Sequence, residues 1–155
     1  MKKVKLAVVG VGNCASSLIQ GIEYYGHHHN EHSDGIMQTQ INGWRPQDIK
    51  VVAAFDIDRR KVGLPIAKAI FAEPNCTTVF QKLIPVNGVG VKMGPLLDGM
   101  ADHMKEYPES RAFRVADVKP VNVVEELKNS GAEVMVCYLP VGSQKAVEFY
   151  ANACL

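Results

Sequence analysis

Apolar residues along the chain fall into two patterns. Mostly apolar runs of strand length stand at Lys5-Leu-Ala-Val-Val9, Val51-Val-Ala-Ala-Phe-Asp56 and Ala132-Glu-Val-Met-Val-Cys-Tyr138, and helically spaced apolar residues lie between them. Runs this apolar predict strands buried on both faces, as in a parallel sheet. A helix is predicted from Ala15 to Tyr25, with Leu18, Ile19 and Ile22 inward and Gly26 as a left-handed end. Others are predicted over 61–71 (ragged at Gly63 and Pro65), over 120–129 (Pro120 near its start, Gly131 closing it) and over 144–155. Short strands are predicted at 75–80 and 86–92. Gly94 to Gly99 reads as a turn leading into a helix, and 105–119 as charged connecting chain. Residues 26–50 hold no sustained period and read as a long insertion, with Trp44 pinning it to the core.

Strands alternating with helices predict an α/β protein, a Rossmann-like doubly wound parallel sheet in one domain over 1–155. In such sheets ligands sit beyond the carboxyl ends of the strands. About four or five strands are recognisable where the fold usually has about six. The chain therefore reads as truncated before its last strands and before a catalytic domain, with an exposed edge prone to association.

The first strand leads straight into Gly10-Val-Gly-Asn-Cys-Ala15 and then a helix, the context a dinucleotide fingerprint requires. Gly10 lets the chain turn off the strand, Gly12 leaves bare backbone for a pyrophosphate, and Ala15 takes the third-glycine position. Asp56 ends the second strand, where a carboxylate bonds the adenosine ribose of NAD. The gap from the glycine turn, usually about 20 residues, is roughly doubled here, and removing the insertion restores it. A carboxylate repels a 2′-phosphate, so NAD is favoured over NADP, although Arg59 and Arg60 could receive that phosphate. Asp58 reads equally as a ligand or as a helix cap. Leu139 to Ser143 follows the strand at 132–138, so three stretches converge on one crevice.

The remaining chemistry is sparse. With Lys+Arg 17 against Asp+Glu 16, the formal net charge of +1 offers no electrostatic case for nucleic acid or an anionic membrane. No apolar run reaches membrane-spanning length, and Met-Lys-Lys leads into a strand with no cleavage pattern, so a cytoplasmic protein is expected. Cys14, Cys76, Cys137 and Cys154 are scattered and read as reduced thiols. Cys14, at a helix start, reads as a small loop residue rather than a nucleophile. His27, His28, His29 and His32 read as a solvated loop, because no carboxylate or cysteine completes a ligand spacing; no metal is expected.

Four ordered motifs carry a resemblance to a known family: Val8-Val-Gly-Val-Gly-Asn-Cys-Ala-Ser-Ser-Leu18, Val52-Ala-Ala-Phe-Asp-Ile-Asp58, Gly94-Pro-Leu-Leu-Asp-Gly99 and Tyr138-Leu-Pro-Val-Gly-Ser143. Together with Glu23-Tyr-Tyr25 and the segment 120–127, the chain resembles the amino-terminal, NAD-binding portion of myo-inositol-1-phosphate synthase (inositol-3-phosphate synthase) in its bacterial and archaeal form. The resemblance implies an isomerase that turns glucose 6-phosphate into inositol phosphate by oxidation, enolisation, intramolecular aldol closure and reduction, with no net redox change. It implies NAD as cofactor, a tetramer for the full-length protein, and catalytic lysines in a second domain outside these residues. Residue by residue, it implies that Gly10, Val11, Gly12, Asn13, Cys14, Ala15 and Ser16 wrap the pyrophosphate and that Asp56 holds the ribose. Leu139, Pro140, Val141, Gly142 and Ser143 would line the ribose and nicotinamide end. Asp98 would lie near the cofactor, or simply cap a helix. Two alternatives are an NAD(P)-dependent dehydrogenase of homoserine or semialdehyde type and a non-catalytic NAD-binding module.

Overall fold

The computed structural model describes residues 2–27, 35–85 and 88–155. Its centre is a four-stranded, all-parallel sheet. In chain order the strands are β1 (Val4–Val9), β2 (Ile49–Asp56), β3 (Val91–Met93) and β4 (Val134–Cys137), and across the sheet they run β3-β2-β1-β4. The helices are α1 (Asn13–His27), α2 (Ile66–Ala69), α3 (Val123–Ser130) and α4 (Gln144–Cys154). This is the α/β, Rossmann-like fold read from the sequence.

Side chains alternate across a strand, so an all-apolar strand feeds two cores at once. Leu6 and Val8 of β1 join Val51, Ala54, Ile19, Ile66 and Ile70 on the α1 and α2 face. Ala7 and Val9 join Ala53, Phe55, Val123, Leu127 and Tyr150 on the α3 and α4 face. β1, paired on both sides, holds the centre. β4 is paired with β1 alone, and Val134 is exposed.

Several boundaries differ from the sequence reading. α1 starts at Asn13 rather than Ala15, because the Ser16 N–H already reaches the Gly12 carbonyl at 2.9 Å. It also runs through Gly26, which sits within the helix rather than ending it; a Cβ there would lie 3.2 Å from Gln47 Cβ, so glycine lets the incoming chain pack close. The predicted helix over 61–71 shrinks to α2. Lys61 and Val62 donate instead to the Asp58 carbonyl in a turn, and Gly63 has φ +85°. α3 begins at Val123, not near Pro120, because the Val121 N–H is bonded to Met93 O and Asn122 caps the helix through the Glu125 N–H at 3.2 Å.

No strand forms over 75–80, and side chains of α1 explain why. Asn13 Oδ1 accepts the Cys76 N–H, and Gln20 Oε1 accepts those of Phe80 and Gln81 at 2.9 and 3.1 Å. Backbone donors satisfied this way do not need a strand partner. The strand predicted over 86–92 is Val91–Met93, with residues 86 and 87 outside the described residues. Gly94 to Gly99 leads into no α-helix; a 3-10 turn follows at Asp102–Glu106. The charged 105–119 segment docks against the end of β2, where Ala116 N–H donates to Ile57 O and Arg59 N–H to Arg114 O. In the insertion, Ile41 and Trp44 exchange both backbone hydrogen bonds, and Trp44 faces Leu18 and Ile22 across an apolar recess while staying 39% exposed.

Gln20 is fully buried, and removing its amide leaves the part-buried N–H groups of Phe80 and Gln81 without their acceptor. Gln20→Ala is expected to lower unfolding free energy by about 1–3 kcal/mol, measured by urea denaturation. An unchanged midpoint would show that the 76–81 segment is held by other contacts.

Candidate functional site

The site is built where β1 ends. Gly10 has φ +84°, and its N–H bonds Phe55 O at 2.9 Å. A Cβ at Gly10 would meet Tyr138 O at 2.9 Å, so both conformation and space require glycine. At Gly12 a Cβ would meet nothing within 4 Å. The chain there is bare backbone facing an open crevice, which fits the close approach of a phosphate group.

The next link comes from Asp56. Its Oδ2 accepts the Val11 N–H at 2.7 Å, and its Oδ1 accepts those of Ile57 and Asp58 at 2.7 and 2.8 Å. A carboxylate offers about four acceptor positions, so Oδ2 keeps capacity for one more donor, as a ribose hydroxyl would supply. Asp56 lines the same crevice as Gly10, Gly12 and Asn13, together with Leu139, Pro140 and Ser143 from the loop after β4. The three stretches converge at the carboxyl edge of the sheet, and a dinucleotide suits their donor and acceptor set.

Not every predicted residue faces that crevice. Val11 and Ala15 are buried in the core, and the buried Ser16 hydroxyl accepts from Gln20 Nε2 at 3.1 Å. Asn13 spends its side chain on Cys76. Cys14 and Val141 are exposed outside the lining, and Gly142 adopts φ +92° in the turn before α4. Asp98 does line the crevice, and it also caps a helix, though one distant in sequence. Its carboxylate accepts the Lys145 and Ala146 N–H groups at 2.7 and 3.0 Å, at the start of α4, where Ser143 makes no side-chain cap. Partial desolvation pushes the Asp98 carboxyl up, but those amides outweigh it and hold it below the ordinary carboxylate range.

Asp58 caps no helix, although its Oδ1 accepts the Arg60 N–H at 2.9 Å in the turn after β2. It is buried, and it pairs with Arg60 through Nε at 3.1 Å and Nη2 at 2.8 Å. Arg59 pairs with Glu109 at 2.7 Å. Both arginines that could meet a 2′-phosphate are thus engaged by carboxylates. Sequence reasoning missed Lys61, whose Nζ donates to Val11 O at 2.7 Å at the crevice edge. It stands last in Arg59-Arg60-Lys61, where nothing in composition marks it as the inward one. Tyr150 was also missed as a crevice residue. Burial, then the nearby Asp56 and Cys137, push its hydroxyl pKa up and keep it protonated.

Among the described residues no group of three His, Cys, Asp or Glu could hold a metal; His28, His29 and His32 lie outside them, and His27 bonds Glu23 at 2.7 Å. No described helix is long and apolar enough to cross a membrane. All four cysteines are exposed free thiols.

No protein-family model matches the chain. It is 42% identical over 154 residues to the inositol-3-phosphate synthase of Mycobacterium tuberculosis, covering 99% of this chain and 40% of that protein. It is also similar to the solved structure of a protein called Ari2, with TM-score 0.76 and 36% identity over 98% of this chain and 42% of that one. A myo-inositol-1-phosphate synthase-related protein from Thermotoga maritima shares the fold, with TM-score 0.59 and 16% identity over 88% of this chain and 34% of that one. The chain thus spans about 40% of the length of the curated relatives it matches.

The two glycines are expected to separate folding from binding. Gly10→Ala should destabilise the chain by at least about 1–2 kcal/mol, from its left-handed backbone and the meeting with Tyr138 O. Gly12→Ala should leave the unfolding free energy, from urea denaturation, within about 1 kcal/mol of the parent. Equal losses would show that Gly12 is structural too. Acidification should also act at α4. The Asp98 carboxyl is lowered on folding, so its contribution is complete above its unfolded pKa and is lost as pH falls through its folded one. Asp98→Asn should therefore flatten the acid limb of a stability-against-pH curve, and an unaltered limb would contradict the cap.

Proposed function

We propose that this chain is the NAD-binding portion of an inositol-3-phosphate synthase, which converts glucose 6-phosphate to 1D-myo-inositol 3-phosphate in the first step of inositol biosynthesis. The carrying observation is the crevice at the carboxyl edge of the sheet. There bare backbone at Gly12, the spare acceptor of Asp56 and the loop after β4 converge in a chain 42% identical to such a synthase.

NAD bound there would supply a hydride acceptor and return the hydride later, so the reaction is redox-neutral overall. The chain's residues bind and orient. The turn from Gly10 to Gly12 and the amino end of α1 would receive the pyrophosphate. Asp56 would accept from the adenosine ribose, and Leu139, Pro140 and Ser143 would flank the nicotinamide end. The catalytic residues belong, on this reading, to a part of the protein beyond these 155 residues. The full-length enzyme would be a cytoplasmic homotetramer that uses neither nucleic acid nor a membrane.

Preference for NAD over NADP follows from charge. Asp56 repels a 2′-phosphate, while Arg59 and Arg60 are paired with Glu109 and Asp58. Calorimetric titration of the chain is expected to show NAD binding at least about tenfold tighter than NADP. Equal affinities, or tighter NADP, would contradict this assignment. For the activity itself, protein containing this chain should convert glucose 6-phosphate to inositol phosphate without accumulating NADH. Stoichiometric NADH release would instead favour a dehydrogenase.

A further inference from the structure

One charge beneath the glycine turn lacks an opposite charge. Lys61 is 3% exposed, and its Nζ has the Val11 carbonyl at 2.7 Å as its hydrogen-bond partner among the described residues. No described carboxylate lies within ion-pairing distance of it. Asp58 is committed to Arg60, and Asp56 to three backbone N–H groups. Burying an ammonium without a counter-charge costs more than a single carbonyl returns. A neutral donor would satisfy Val11 equally well, so the charge itself is unexplained by the fold. Yet Lys61 borders the same crevice as Gly12 and Asp56.

We propose that Lys61 is the cation for the phosphates of the bound dinucleotide, held ready by Val11 O with its other N–H donors directed to a phosphate oxygen. This rests on the cofactor reading above and deepens it. The anion the buried ammonium lacks is the group the glycine turn is shaped to admit. Lys61 would then discriminate for the diphosphate rather than for adenine or ribose. An adenine ligand without phosphate has no use for it.

The test titrates the 155-residue chain and its Lys61→Met variant with NAD, ADP and adenosine, following thermal unfolding in parallel. Lys61→Met is expected to lose at least about tenfold in affinity for NAD and ADP and to change by less than about twofold for adenosine. Lys61→Arg should recover part of the ADP affinity. Equal losses for ADP and adenosine, or ADP binding that does not change, would overturn the assignment while leaving the cofactor reading intact. Failure of the unaltered chain to bind any of the three would overturn both. Should Lys61→Met unfold, the nitrogen resonance of the Lys61 ammonium in unaltered, labelled chain decides. It should move on adding ADP and stay still with adenosine; no movement with ADP overturns the proposal.

Discussion

The peptide groups of Val11 reach neither a strand nor a helix partner, and charged side chains meet both of them. Asp56 takes the N–H and Lys61 the C=O, each at 2.7 Å. Val11 itself is fully buried, so these groups have no water to turn to. The turn between β1 and α1 is thereby fastened to the end of β2 and to the chain just beyond it. Gly10 completes the arrangement from the other side, against the backbone of Tyr138 that follows β4. Three strand ends are thus held around one turn, and α1 leaves it with Gly12 bordering the crevice.

That constraint links fold to function. The residues that hold the turn also place a carboxylate and an ammonium at its edge, which on the proposed reading would meet ribose hydroxyls and phosphate. Neighbouring charges are cancelled locally: Arg60 by Asp58, Arg59 by Glu109. The raised pKa of Arg60, set first by its hydrogen bond to Asp58, reflects how completely it is engaged. Asp98 spends its carboxylate on the first turn of α4, which fixes the start of that helix beside the loop from Leu139 to Ser143.

The sheet was legible in the sequence because the centres of β1 and β2, Leu6 to Val9 and Val51 to Phe55, are apolar at every position, and a sheet covered on both faces needs that. The glycine turn and Asp56 were legible because strand, turn and helix follow without interruption. What stayed hidden depends on distant side chains. The 75–80 segment has the composition of a strand but gives its backbone donors to Asn13 and Gln20, residues some sixty positions away. Asp98 caps α4 from 47 residues away, which no local pattern reveals. Lys61 is the third cation in the run Arg59-Arg60-Lys61, and no local pattern distinguishes it from the other two. Its burial emerges only once Asp58 has drawn Arg60 aside and the chain turns at Gly63.

The most direct measurement is a two-dimensional amide spectrum of the labelled chain as NAD is added. Shifts should concentrate at Gly10 to Ala15, at Asp56 to Lys61 and at Leu139 to Ser143, and leave α3 and the recess beside Trp44 unmoved. No shifts at saturating NAD, or shifts gathered at the Trp44 recess instead, would contradict the assignment of this crevice as the dinucleotide site.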